Sequence, residues 1–159
     1  MADMLVRLYD LPDGRGRTEG LTASGIQVRR AMAYEKRTVA AWVLAAFGEG
    51  WASECERAFS NCPVSCFIAV REDRLIGFAC HDCTAPNFFG PFGVAEAERG
   101  CGVGAGLLLA ALRSMADRGY AYAIIGGAGS MEFYSRVAGA VEIPQSSPGI
   151  YPPKLLPSS

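Results

Sequence analysis

Apolar positions along the chain switch repeatedly between a spacing of two and a spacing of three to four, the mark of strands alternating with helices. Residues 26–30, Ile-Gln-Val-Arg-Arg, alternate and predict a strand. In residues 35–47, Val39, Trp42, Val43, Ala46 and Phe47 fall at helical spacing, and Gly48-Glu-Gly50 stops that helix. A second short helix is expected over 51–60, leading to Asn61-Cys-Pro63. Residues 66–71 and 75–80 are rich in β-formers and are separated by the polar Glu72-Asp-Arg74, which predicts an antiparallel hairpin. Residues 88–94 predict a further strand made irregular by Gly90, Pro91 and Gly93, because proline cannot donate to a ladder and glycine marks bulges.

The clearest helix covers 104–118, with Leu108, Leu112 and Met115 on one stripe, Arg113 and Asp117 as an i,i+4 pair, and Gly119 as its stop. A strand over 120–125 ends at Gly126-Gly-Ala-Gly129. Ser130 is placed to cap a helix over 131–137, and 141–143 reads as a last core strand. At the start of the chain, residues 4–9 predict an edge strand or arm and residues 11–16 a turn-rich break. This divides the chain into an arm, 1–25, and one folded domain, 26–159. Residues 144–159 hold five of the nine prolines and predict a strand or extended tail around Gly149-Ile-Tyr151, with no helix.

Size and charge narrow the chemistry. A chain of 159 residues, half of them hydrophobic and 19% charged, supports a single packed core and lies far from the composition of disorder. A formal charge of -1, with no basic run longer than Arg29-Arg30, removes the electrostatic footprint of a nucleic-acid binder. The longest strongly apolar stretch, residues 105–112, falls well short of the roughly 20 residues that span a bilayer, and the first residues lack the basic region followed by an apolar core that a secretory leader shows. No nucleic-acid or membrane partner is therefore expected, and the expected location is cytoplasmic. The six cysteines are accordingly expected to be thiols.

The densest chemical signal is Arg99-Gly-Cys-Gly102-Val-Gly104-Ala-Gly106, a glycine-rich turn between the irregular strand and the clearest helix. Glycine lets backbone approach an anion, and the unpaired N–H groups of a first helical turn attract phosphate. The helix dipole alone contributes only about 0.3–1 kcal/mol, so several convergent N–H bonds must do most of the holding. A Walker A loop requires Gly-Lys-Ser/Thr, and no lysine lies between Lys36 and Lys154. A dinucleotide loop fits Gly100-x-Gly102-x-x-Ala105 formally, but the following strand ends Ile124-Ile-Gly-Gly127 without the acidic residue such a site uses. The third reading is the Arg/Gln-x-x-Gly-x-Gly/Ala turn that binds the pyrophosphate of coenzyme A, matched by Arg99, Gly102 and Gly104.

With that turn, the chain resembles the GCN5-related N-acetyltransferase (GNAT) family over roughly residues 26–143. The order of elements carries the resemblance further: strand, turn, long helix, strand, then Phe133-Tyr134 on a short helix followed by Gly139-Ala140. The resemblance implies a single α/β (α+β) domain. Its mixed, mostly antiparallel sheet would be flanked by helices on both faces and splayed between the family's fourth and fifth strands, here 88–94 and 120–125, to admit an acyl-CoA arm. It implies acetyl-CoA as cosubstrate, no metal, and a small-molecule or peptide amine as acceptor. A homodimer is one assembly it allows.

The resemblance also assigns roles. Backbone N–H groups of Gly100, Cys101, Gly102, Val103, Gly104 and Ala105 would hold the pyrophosphate beside Arg99. Phe92, Gly93 and Val94 would line the pantetheine arm and polarise the thioester carbonyl, with Phe133 packed nearby. Tyr134, with an ordinary hydroxyl pKa of about 10, would protonate the leaving thiolate, whose thiol has a pKa of about 8.5. A neutral attacking amine requires a base, and His81, Asp82 and Glu54, with Glu56 beside it, are the candidates. Adjacent strand residues face opposite ways, so at most one of His81 and Asp82 would reach the cleft. Cys80-His-Asp-Cys83 is not read as a zinc site, since no second Cys-x-x-Cys completes four ligands. Cys101, at a helix start, is the thiol most exposed to activation. A non-catalytic acyl-CoA-binding or sensor module is the alternative function, and a nucleotide-binding enzyme a third.

Overall fold

The computed structural model describes residues 1–155. Its elements run β1 (Met4–Arg7), α1 (Arg15–Ala23), β2 (Ile26–Arg30), α2 (Lys36–Phe47), α3 (Glu49–Ala58), β3 (Cys66–Arg71), β4 (Arg74–His81), β5 (Phe88–Val94), α4 (Val103–Asp117), β6 (Tyr122–Ile125), α5 (Met131–Ala138) and β7 (Val141–Glu142). The strands form one sheet of seven in the order β2-β3-β4-β5-β6-β1-β7. All neighbours are antiparallel except β5 and β6, which run parallel.

Alternation along the central strands divides the core into two layers. On β3, Phe67 and Ala69 face α4, whereas Cys66 and Ile68 face α2 and α3. On β4, Ala79 takes the first side and Phe78 and Cys80 the second. The α4 stripe of Leu107, Leu108, Leu112 and Met115 is fully buried. Each such side chain contributes about 1.5–3 kcal/mol on transfer from water, so α4 is the main strut on its face. On the other face Trp42, Phe47, Trp51 and Phe78 form one aromatic cluster with ring centroids 5.1–6.3 Å apart. The Phe47 ring lies so close over Gly93 that any Cβ there would collide with it.

The first 25 residues differ from the arm or edge strand that their sequence predicts. Strand β1 pairs with β6 from Met4↔Ile125 to Arg7↔Tyr122 and with β7 at Met4↔Glu142 and Leu5↔Val141, so it is internal. Met4, Val6 and Leu8 are buried in the same cluster as the α4 stripe. The edge position belongs instead to β7, whose two residues are exposed rather than in the core. Residues 15–23, within the expected arm, form α1. This helix is polar and carries two glycines, and its single buried residue, Leu21, docks at Gly106 of α4, where a Cβ would stand 2.6 Å from Leu21 Cδ1. The predicted tail up to residue 155 holds no strand, and 156–159 lie outside the described residues.

Candidate active site

Strands β5 and β6 are joined at one end only. Their ladder consists of Phe88↔Ile124 and Phe89↔Ile125, after which β6 ends and β5 continues alone to Val94. On its other edge β5 remains paired with β4, and Ala95 N–H donates to Ile76 O at 2.8 Å. An antiparallel ladder turns alternate residues to opposite edges, so Gly93 faces β4 while the backbone groups of Phe92 and Val94 face the open seam. A free strand edge of this kind accepts an extended, amide-bearing ligand.

The glycine-rich turn opens beside the end of that strand. Gly100 and Gly102 both have φ of 85°, a left-handed conformation that L side chains resist. The first amide to bond back into α4 is that of Gly106, to Gly102 O at 3.0 Å, which leaves the amides of Val103, Gly104 and Ala105 at the helix mouth. Arg99 folds back, and its Nε donates to Val94 O at 3.2 Å, bracing the turn against β5. At Gly104 a Cβ would lie 3.4 Å from Phe92 and 3.6 Å from Phe133. Those two rings stack across the seam at 6.0 Å and 10°.

Helix α5 brings Phe133 and Tyr134 to the seam and ends at Gly139, whose φ of 64° lets Ala140 N–H return to Tyr134 O at 3.3 Å. The Tyr134 ring packs on Phe89, Phe92 and Phe133, and burial pushes its hydroxyl up to about 12. It faces a cavity of about 660 Å³ that Glu54, Thr84, Phe92 and the stretch 125–130 also line. The volume is that of an ordinary small-ligand site. Thr84 Oγ1 donates to Glu54 Oε1 at 2.6 Å and holds that carboxylate toward the cavity. A second cavity of about 730 Å³ lies between α1 and α4 and includes neither the seam nor Tyr134.

Of the five sequence candidates for acid and base, the cavity thus brings together Tyr134 and Glu54. His81 and Asp82 do not line it. His81 is completely buried, with Nδ1 2.7 Å from Asp82 Oδ2 and Nε2 3.0 Å from Ser114 Oγ. Arg30 donates to Ser114 Oγ at 3.2 Å, which leaves the serine proton for Nε2 and places the ring proton on Nδ1, toward Asp82. Burial lowers the His81 pKa against the opposing pull of Asp82. Burial alone would raise Asp82, yet hydrogen bonds from His81, the Asn87 amide and Tyr120 hold it below the usual carboxylate range. This network ties β4 to α4. Glu56 does not line the cavity either.

Thr84 and Tyr151 are among the cavity residues to which sequence reading gave no site role; both lie outside helices and strands, and only tertiary folding brings them to the cavity that Glu54 lines. Cys55, Cys66 and Cys80 converge in the core from α3, β3 and β4, with sulfurs all within 4.8 Å of one another. Cys83 lies beyond the end of β4, where its thiol donates to His81 O at 3.3 Å. Cys101 is exposed in the turn. Among the described residues no helix is long and apolar enough to cross a membrane.

The model of the Acetyltransferase (GNAT) family matches residues 36–140. Among solved structures, the chain is similar to the GCN5-related glucosamine N-acetyltransferase region of a fungal multi-domain GH3 β-N-acetylglucosaminidase, with a TM-score of 0.73 and 18% identity over 89% of this chain. It is also similar to GCN5-related N-acetyltransferases from Sphaerobacter thermophilus (TM-score 0.68, 22% identity, 89% of this chain) and Kribbella flavida (0.61, 17%, 89%). The chain spans 19%, 48% and 53% of those three chains respectively. Comparison with curated proteins finds no match.

Proposed function

The chain belongs to the GNAT acetyltransferase family, whose chemistry is acyl transfer to amines, and from that premise we propose that it moves an acetyl group from acetyl-CoA directly to an amine within a ternary complex. The observation that carries this reading is the half-open β5–β6 seam, with the glycine turn at one end and the cavity holding Tyr134 and Glu54 beside it. The residues fit such a donor. The amides from Gly100 to Ala105 offer a pyrophosphate a cradle of donors, and the free edge at Phe92 and Val94 offers the pantetheine amides a strand to pair with. An N–H from that edge also polarises the thioester carbonyl.

The acceptor amine enters from the side of Glu54. It must be neutral to attack, and the Glu54 carboxylate, fixed by Thr84, takes the proton directly or through one water. Tyr134 works at the leaving sulfur. With its hydroxyl near 12 it stays protonated throughout the neutral range, so it donates a hydrogen bond to the developing thiolate. Full proton delivery to a thiolate whose thiol has a pKa of about 8.5 would run uphill by roughly 3.5 pKa units, which makes hydrogen-bond stabilisation its main contribution. Steady-state release of CoA thiol with a panel of primary amines tests the reading. Acceptor-dependent thiol release supports it. CoA binding without release by any amine would favour a binding module instead.

A further inference from the structure

The outer wall of the cavity is built from the segment that follows β7. Pro148, Tyr151, Pro152 and Lys154 line it together with Glu54 and Tyr134. Several contacts hold this segment in place. Asp3 N–H donates to Ser146 Oγ, and Ser146 Oγ to Ile143 O, each at 2.7 Å, while Ile143 N–H donates to Asp3 O at 2.9 Å. The Gly149 backbone packs on the Asp3 carboxylate, where a Cβ would lie 3.4 Å from Oδ1. The Tyr151 hydroxyl sits on Gly126, so close that a Cβ there would stand 2.5 Å away. Pro148 lies between these anchors, and Pro152 and Pro153 restrict the backbone from Tyr151 to Lys154. The chain has two lysines; Lys36 opens α2 and does not line the cavity.

We propose that the ε-amine of Lys154 is an acetyl acceptor in cis, so that the protein acetylates its own cavity wall. The inference rests on the acetyl-transfer reading and names a peptidyl lysine as one acceptor of that site. The neutral Nζ attacks the thioester carbonyl of acetyl-CoA, a C–N bond forms and the C–S bond breaks. The amine proton passes to Glu54 and on to solvent, and the departing thiolate, hydrogen-bonded to Tyr134, takes a proton from solvent to become free CoA thiol. Tethering replaces a bimolecular encounter with an intramolecular one, and the product amide removes the positive charge from the wall.

Incubation of the purified chain with acetyl-CoA and no other amine, followed by peptide mass spectrometry, tests this. Acetylation is expected at Lys154, about tenfold or more faster than at Lys36 and slowed about tenfold or more in Tyr134→Phe. Its first-order rate constant is expected to be unchanged across a roughly tenfold range of protein concentration, as a reaction in cis requires. Equal labelling of both lysines, or a rate that rises with protein concentration, would overturn the inference. Thiol release to added amines with no mark on Lys154 would overturn it and leave the acetyl-transfer reading standing. Absence of both would overturn the two together.

Discussion

The Thr84 hydroxyl stands 2.6 Å from Glu54 Oε1, and both side chains line the cavity that Tyr134 also lines. One carboxylate is thereby held at the cavity beside the seam, where the proposed acceptor would enter. Glu54→Gln keeps the shape and a hydrogen-bonding amide but cannot take a proton, so kcat is expected to fall by about 10²–10⁴. Raising the pH, which supplies the amine already neutral, is expected to recover part of that loss. Thr84→Val leaves the carboxylate but frees its rotamer and should cost less, about tenfold. Initial rates against pH for the three proteins check the order.

At the donor side, Tyr134→Phe removes one oxygen from a ring that stays packed on Phe89, Phe92 and Phe133. The expected result is a fall in kcat of about 10²-fold with KM for acetyl-CoA little changed, since the lost hydrogen bond forms as the sulfur leaves. Because burial pushes this hydroxyl up to about 12, the wild-type rate should show no loss from tyrosine ionisation up to about pH 10. A wild-type limb falling near pH 9 that vanishes in the variant would contradict that assignment.

Gly102 caps α4 with a φ of 85°. Gly102→Val forces a branched side chain into a left-handed conformation, at a cost of roughly 1–2 kcal/mol, and crowds the amides above it. Titration with CoA should show a dissociation constant raised about tenfold or more, with the urea midpoint lowered only modestly. An unchanged dissociation constant would place the pyrophosphate elsewhere.

The network at His81 sets a pH window for stability. Burial depresses the folded pKa of His81, so the unfolded chain takes up its proton first, and stability should decline as pH falls below about 6.5. Asp82 adds to the loss at lower pH. Its folded pKa is depressed, so its contribution is present above about 3.9 and disappears as pH falls through the folded value. The groups facing this pair are Ser114 on α4, Arg30 on β2, and Tyr120 and Arg118 between α4 and β6. Urea midpoints across pH 8 to about 5 should flatten in His81→Gln relative to wild type. Parallel curves would contradict the burial of an uncharged ring.

Much of this arrangement was legible before folding. The α4 stripe, the β3–β4 hairpin, the glycine turn and the irregular strand β5 all declare themselves through local spacing, because each depends on neighbours within a few residues. Helix α1 was not legible, since it is polar and depends on one leucine finding a glycine notch on α4. The internal place of β1 was hidden for another reason: four residues read alike at an edge or in the middle, and only pairing with β6 and β7, more than a hundred residues away, decides. Among the base candidates, sequence could name Glu54 but could not separate it from His81, whose burial is a tertiary fact.

The most direct test of the open seam is a crystal structure of the chain with CoA. The expected result is a pyrophosphate on the amides between Gly100 and Ala105, pantetheine amides paired to β5 at Phe92 and Val94, and the sulfur within hydrogen-bond reach of the Tyr134 hydroxyl. CoA seated instead in the cavity between α1 and α4, with the gap beside β5 empty, would contradict it.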